Sequence, residues 1–147
     1  MAGLEPGTPM PTQVTVHKQS RILELAFADG TSFRLPFELL RVYSPSAEVR
    51  GHGPGQEVLQ VGKREVGIDA IEPVGHYGVQ PRFTDGHDTG IFGWEYLHWL
   101  GTHQTRLWQD YLDRLKAAHA SRDPDPAPSA LPKETIVNAT ALSRPRG

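Results

Sequence analysis

Three histidines, His52, His76 and His87, stand in or beside loop segments, with Asp85 and Asp88 next to the last of them. Imidazole and carboxylate donors together suit zinc, iron or nickel. A metal site on His87 with His52 or His76 is therefore one chemistry these residues allow; surface or capping roles are the other. His98 and His103 are five residues apart. At roughly 100° per residue they diverge by about 140° around a helix, so they cannot share a face as an i, i+4 metal pair does. His17 and His119 lie near the ends of the patterned region. The run Gly51-His52-Gly53-Pro54-Gly55 is only superficially a phosphate loop, because Pro54 lacks an N–H and a strand-like run, not a helix, follows it.

The chain has no cysteine. That excludes disulfides, thiolate nucleophiles and cysteine-ligated zinc or iron–sulfur centres. No Ser/His/Asp nucleophile motif or nucleophile elbow stands out, so no enzyme is expected. Net charge is -2, without a basic field, which argues against a nucleic-acid partner. No run approaches the roughly 18 apolar residues of a membrane span. The Pro/Gly-rich start lacks the apolar core of a signal peptide, so a cytoplasmic location is expected and the sequon at Asn138-Ala139-Thr140 carries no weight.

Any such site must be positioned by elements between two Pro-rich ends. Residues 1–12 read as a disordered leader, 13–120 as one domain and 121–147 as a disordered tail in which Ile136-Val137 is the one apolar pair. Val14 and Val16 alternate as in a strand. Asp29-Gly30 between alternating runs signals a hairpin. Pro36 opens a short helix with Phe37, Leu40 and Val42 inward, and Ser44-Pro45 ends it. Val58-Val61 and Val66-Ile71 read as two strands joined at Gly62-Lys63, and 74–83 as another, with Asp85-Gly86 turning the chain. From Leu97 to Leu115 the apolar spacing is helical, with a break expected at Gly101-Thr102. The fold class expected is α+β: a small antiparallel β-sheet domain with a short helix after the first hairpin and a C-terminal helical segment. Trp94, Tyr96, Trp99, Trp108 and Tyr111 read as core packing, the alternative being that Trp99 or Trp108 marks a docking face.

Leu35-Pro36-x-x-Leu39-Leu40-Arg41, Ser44-Pro45-Ser46-Ala47-Glu48, Ile71-Glu72-Pro73-Val74-Gly75-x-Tyr77 and Phe83-x-Asp85-Gly86-His87-x-x-Gly90-Ile91-Phe92-x-Trp94-x-x-Leu97 follow in order. This combination resembles a small bacterial family of unknown function named after the N-terminal domain of gamma-butyrobetaine hydroxylase, over about residues 14–100. The resemblance implies a compact α+β module that in the hydroxylases precedes the oxygenase domain and holds a structural zinc through cysteines and a histidine. Carried over by position, Leu40-Arg41 and His87 match, while Ser44, Ser46 and Val49 stand where the cysteines would be. The implied zinc site is thus expected to be lost, leaving no cofactor, and the catalytic half is not present in this sequence. The resemblance also implies an association with iron–sulfur carrier ATPases of the P-loop type, and a monomer or weak homodimer.

The function expected is a non-catalytic binding or adaptor domain, accessory to iron–sulfur cluster or metal-cofactor metabolism. It would present Arg41, Arg50, His52, Tyr77, Arg82, Asp85 and His87 to a protein partner. The alternative is a zinc- or iron-binding protein using His87 with His52 or His76.

Overall fold

The computed structural model describes residues 10–124. The apolar pair Ile136-Val137, the Asn138 sequon and most of both expected tails lie outside the described residues. Strands β1 (Pro11–His17), β2 (Ile22–Phe27) and β3 (Ser32–Pro36) form an antiparallel sheet in the order β1-β2-β3. On β2, Leu23, Leu25 and Phe27 alternate inward with less buried neighbours, the period-two pattern of a sheet with one face on a core. A second antiparallel sheet joins β4 (Ile68–Val74), β5 (Gly78–Phe83) and the two-residue β6 (Phe92–Gly93). Between the sheets run the short helices α1 (Phe37–Val42) and α2 (Ala47–Arg50). After them come α3 (Trp94–Thr102) and α4 (Gln104–Ala117). The result is α+β, as the sequence pattern indicates. None of the described helices is long and apolar enough to cross a membrane.

One core cluster joins Leu23, Leu25 and Leu35 of the first sheet to Phe83 and Phe92 of the second and to Leu97 and Leu100 of α3. A smaller cluster of Val42, Tyr111 and Leu115 seats α4 on α1. Helix α1 lies so deep that every residue of it is buried, Glu38 and Arg41 included. Both charges are therefore paired, as buried charges must be. Arg122 reaches Glu38 with two hydrogen bonds of 2.8 and 2.7 Å, and its guanidinium lies 4.9 Å over the Trp108 ring.

Several elements differ from the sequence reading. The strand expected at Val58-Val61 is irregular, and both valines are half exposed. Their spacing of three does not alternate, and the backbone donors go elsewhere: Val58 N–H to the Val49 carbonyl and Gly62 N–H to the Ser121 carbonyl. The expected strand 74–83 is a hairpin instead, with a turn closed by Tyr77 N–H on the Val74 carbonyl. The helix break falls at His103, not at Gly101-Thr102. Gly101 lies inside α3, where a Cβ would sit 2.3 Å from the Phe33 ring, so β3 approaches the helix backbone closely at this residue, while the His98 ring of α3 also meets Phe33 with centroids 5.4 Å apart. At the ends, β1 already begins at Pro11, and Ser121 and Arg122 pack on the domain that was expected to stop at 120.

Candidate functional site

The two Asp-Gly turns have one construction. In each, a phenylalanine N–H (Phe27, Phe83) bonds the carbonyl four residues on, at 2.8 and 2.9 Å, and the glycine N–H bonds back to the phenylalanine carbonyl at 3.0 Å. Gly30 and Gly86 both take φ of 92°, the left-handed region that favours glycine. The aspartate Oδ1 accepts the N–H two residues on, from Thr31 at 3.0 Å and from His87 at 3.2 Å. What differs is the outer oxygen. Asp85 Oδ2 accepts from Arg41 Nε at 2.8 Å and from Lys63 Nζ at 2.6 Å. Burial alone would push the Asp85 carboxyl up, but hydrogen bonds from Lys63, the His87 N–H and Arg41 together hold it at about 2, against an ordinary 3.8. In the Asp29 turn the Thr31 hydroxyl lowers the carboxyl instead, at 2.6 Å.

The same turn delivers His87 into the interior. Its ring nitrogens are both engaged: Nε2 lies 2.9 Å from Ser44 Oγ and Nδ1 lies 2.8 Å from Glu48 Oε1. A carboxylate is acceptor-only, so Nδ1–H donates to Glu48, and Nε2 pairs with the Ser44 hydroxyl. Glu48 is in position because Ser46 caps α2, its Oγ accepting the Glu48 N–H at 3.2 Å. Ser46 Oγ also bonds Thr89 Oγ1 at 2.6 Å. Hydroxyl, imidazole and carboxylate are thus linked in the order of a nucleophile, base and orienting acid. Yet Ser44 is 1% exposed, with Gly90 closed against its hydroxyl, while Glu48 at the other end is 62% exposed by side chain. The chain of bonds runs outward from the fold interior and ties the α1–α2 corner to the 83–90 segment.

This arrangement bears on the zinc ligands that the resemblance implies. Ser44 and His87 do meet, but serine hydroxyls are neutral, Val49 offers no donor, and both nitrogens of His87 are occupied by hydrogen bonds. The residues present do not fit a zinc ion. Nor are His52 and His76 brought to His87: among the described residues no group of three or more His, Asp or Glu side chains is placed to hold a metal ion.

Of the seven residues read from sequence as a contact surface, Arg41 and His87 are buried and support that surface from beneath. Asp85 is partly covered by its two cations. Arg50, His52, Tyr77 and Arg82 are exposed, but Tyr77 sits on the β4–β5 turn and Arg82 on β5, facing Glu72 at 3.9 Å. Arg50 and the loop after it instead border a groove of about 710 Å³ between the α1–α2 region and the α3–α4 pair. Its floor includes Val42, Val49 and Leu59, and Ser44 touches its edge. Tyr96 and Trp99 form one wall, stacked with centroids 5.7 Å apart and planes 20° apart. Trp99 is 39% exposed, so this aromatic is at the surface and not in the core as first expected. Arg50 lies 5.2 Å over the Tyr96 ring, and Arg114 lies 5.6 Å over the Tyr43 ring and donates to its hydroxyl at 3.2 Å. Tyr111 stands behind the floor, its hydroxyl donating to the Gln60 carbonyl at 2.6 Å. Burial pushes that phenol up to about 12.

Sequence reasoning missed Lys63, Ser44 and Glu48 as partners and the groove as a whole. Ser44 and His87 are 43 residues apart and share no local spacing signal. The hints were the family resemblance, which set Ser44 and His87 at positions of one implied ligand set, and Ser46 followed by Glu48, a cap with an acid in the first turn.

The comparisons with known proteins agree with this geometry. Two proteins of known NMR solution structure are similar over most of the chain. One is 48% identical, with 82% of this chain and 95% of that one covered and a TM-score of 0.71. The other is 51% identical, with 83% and 92% covered and a TM-score of 0.70. A crystal structure of a protein of unknown function from Acidithiobacillus ferrooxidans ATCC 23270, described as belonging to the DUF971 family, is 42% identical, covering 67% of this chain and 98% of that one at a TM-score of 0.54. No curated protein matches the chain. A family model described as "Gamma-butyrobetaine hydroxylase-like, N-terminal" matches residues 14–98, from within β1 to within α3 and through the whole Ser44–His87–Glu48 corner. The chain belongs to the gamma-butyrobetaine hydroxylase-like N-terminal domain family.

Proposed function

We propose that this domain is a non-catalytic binding module that docks a protein partner in the groove between the α1–α2 region and the α3–α4 pair. The observation that carries this reading is the division of labour among the polar residues. Ser44, His87, Arg41 and Asp85, the side chains with the most reactive chemistry, are bonded to one another or to Glu48 and Lys63. They hold the corner that forms one wall. The groove beside them is apolar, with a half-exposed tryptophan and two arginines at its sides. Tryptophan and arginine are the residue types that most often dominate the energy of protein interfaces.

The resemblance stated above makes an iron–sulfur carrier ATPase the first partner to test. Calorimetric titration of such an ATPase with the full chain and with Trp99→Ala measures it. Removing a central interface tryptophan costs about 2 kcal/mol or more, roughly thirtyfold in affinity. Binding that is absent in the wild type, or unchanged by Trp99→Ala, counts against this reading.

A further inference from the structure

We propose that the groove selects an acidic, apolar peptide segment of its partner, the apolar side chains lying on Val42, Val49 and Leu59 and the carboxylates meeting Arg50 and Arg114. This rests on the protein-binding reading above and adds the chemistry of what is bound. At about 710 Å³ the groove is within the range of ligand clefts, roughly 300–1,000 Å³. The residues lining it include two arginines and a single acid, Glu57. Both arginines are exposed, and among the described residues neither is in an ion pair. By contrast Arg21, Arg34, Arg41, Arg64, Arg82 and Arg122 each face a carboxylate, and the other described arginine outside an ion pair, Arg106, does not line the groove.

Each unpaired guanidinium lies over a tyrosine ring, Arg50 5.2 Å from the Tyr96 centroid and Arg114 5.6 Å from that of Tyr43. The ring contact restrains each side chain, and although Arg114 gives one N–H to the Tyr43 hydroxyl, a guanidinium carries five donors, enough to leave a two-pronged bond to a carboxylate open. The tyrosines are themselves fixed: Tyr43 Oη donates to the Leu107 carbonyl at 2.6 Å and Tyr96 Oη to the Tyr43 carbonyl at 2.5 Å. The two cations are therefore restrained beside one apolar floor, which lowers the ordering cost of a ligand that carries both apolar side chains and carboxylates.

The test titrates two peptides, acetyl-Glu-Leu-Phe-Leu-Glu-amide and acetyl-Lys-Leu-Phe-Leu-Lys-amide, into isotope-labelled full-length protein followed by NMR. The acidic peptide is expected to shift the Trp99 indole signal and to bind about fivefold more tightly than the basic one, as two partly exposed ion pairs allow. In Arg50→Gln/Arg114→Gln that preference disappears; in Arg50→Lys/Arg114→Lys it persists, and the spectra of both variants report whether the fold is kept. Equal affinity for the two peptides, preference for the basic one, or no shift at Trp99 with either overturns the proposal. If the peptides bind equally while Trp99→Ala still abolishes ATPase binding, charge selection fails and the protein-docking reading stands. If the acidic preference is present and the ATPase does not bind, the groove chemistry stands and that choice of partner fails.

Discussion

Replacing Asp85 with asparagine isolates the ionic part of the turn that carries His87. Asparagine keeps an Oδ1 acceptor for the His87 N–H but withdraws the negative charge from Arg41 and Lys63. Lowering the carboxyl from 3.8 to about 2 corresponds by linkage to at most about 2.4 kcal/mol of stability. The Asp85 side chain is 24% exposed, so solvent screening brings the ionic contribution to about 1–2 kcal/mol. Leaving the buried Arg41 without its counter-ion raises the total to about 2 kcal/mol or slightly more. For a domain of this size that is a fall in Tm of roughly 10 °C. The sign with pH follows from the direction of the shift. The folded-state value is depressed, so the stabilisation is complete above the unfolded value of 3.8 and is lost as pH falls toward about 2. Urea unfolding of wild type and Asp85→Asn between pH 3 and 7 should give a constant gap at the upper end that narrows below about pH 4. A gap under about 0.5 kcal/mol at neutral pH, or one that does not change down to pH 3, refutes the reasoning. Asp29→Asn in the twin turn is the internal control, because among the described residues no Lys or Arg holds its outer oxygen; its effect should be smaller.

Ser44→Ala removes the partner of His87 Nε2 in the interior and should destabilise by about 1–3 kcal/mol, read from urea midpoints at unchanged slope. Gly101→Ala should also destabilise, by about 1–3 kcal/mol, although alanine is the better helix former, because the new methyl meets the Phe33 ring; a rise in Tm would show that β3 and α3 are not packed as described.

The first hairpin, the short helix and the long C-terminal helical region were legible because their signals are local. Asp29-Gly30 needs only its own turn chemistry, and Leu107, Tyr111 and Leu115 repeat at helical spacing. The region from Gln56 to Gly67 was misread because its backbone is satisfied by distant partners. Val49, Ser121 and Arg122 supply the acceptors that a neighbouring strand would have supplied, and valines alone do not reveal this. The break after α3 was misplaced because Gly101 serves a contact with Phe33 across the fold, not the helix end. At the site, the segment Phe83–His87 stood out as a turn with a reactive histidine, and that much was local. What the histidine does was not, since Ser44, Glu48, Arg41 and Lys63 reach this turn only through tertiary packing.

The central claim is that the Ser44–His87–Glu48 corner supports a docking groove and does not itself act on a ligand. Titrating an iron–sulfur carrier ATPase against Trp99→Ala and Ser44→Ala side by side tests it most directly. The account predicts that Trp99→Ala keeps its stability and loses affinity by roughly thirtyfold, while Ser44→Ala loses stability and, where folded, keeps its affinity. The opposite pattern, with binding insensitive to Trp99 and abolished by Ser44→Ala in a folded protein, would place the working chemistry in the corner and contradict the account.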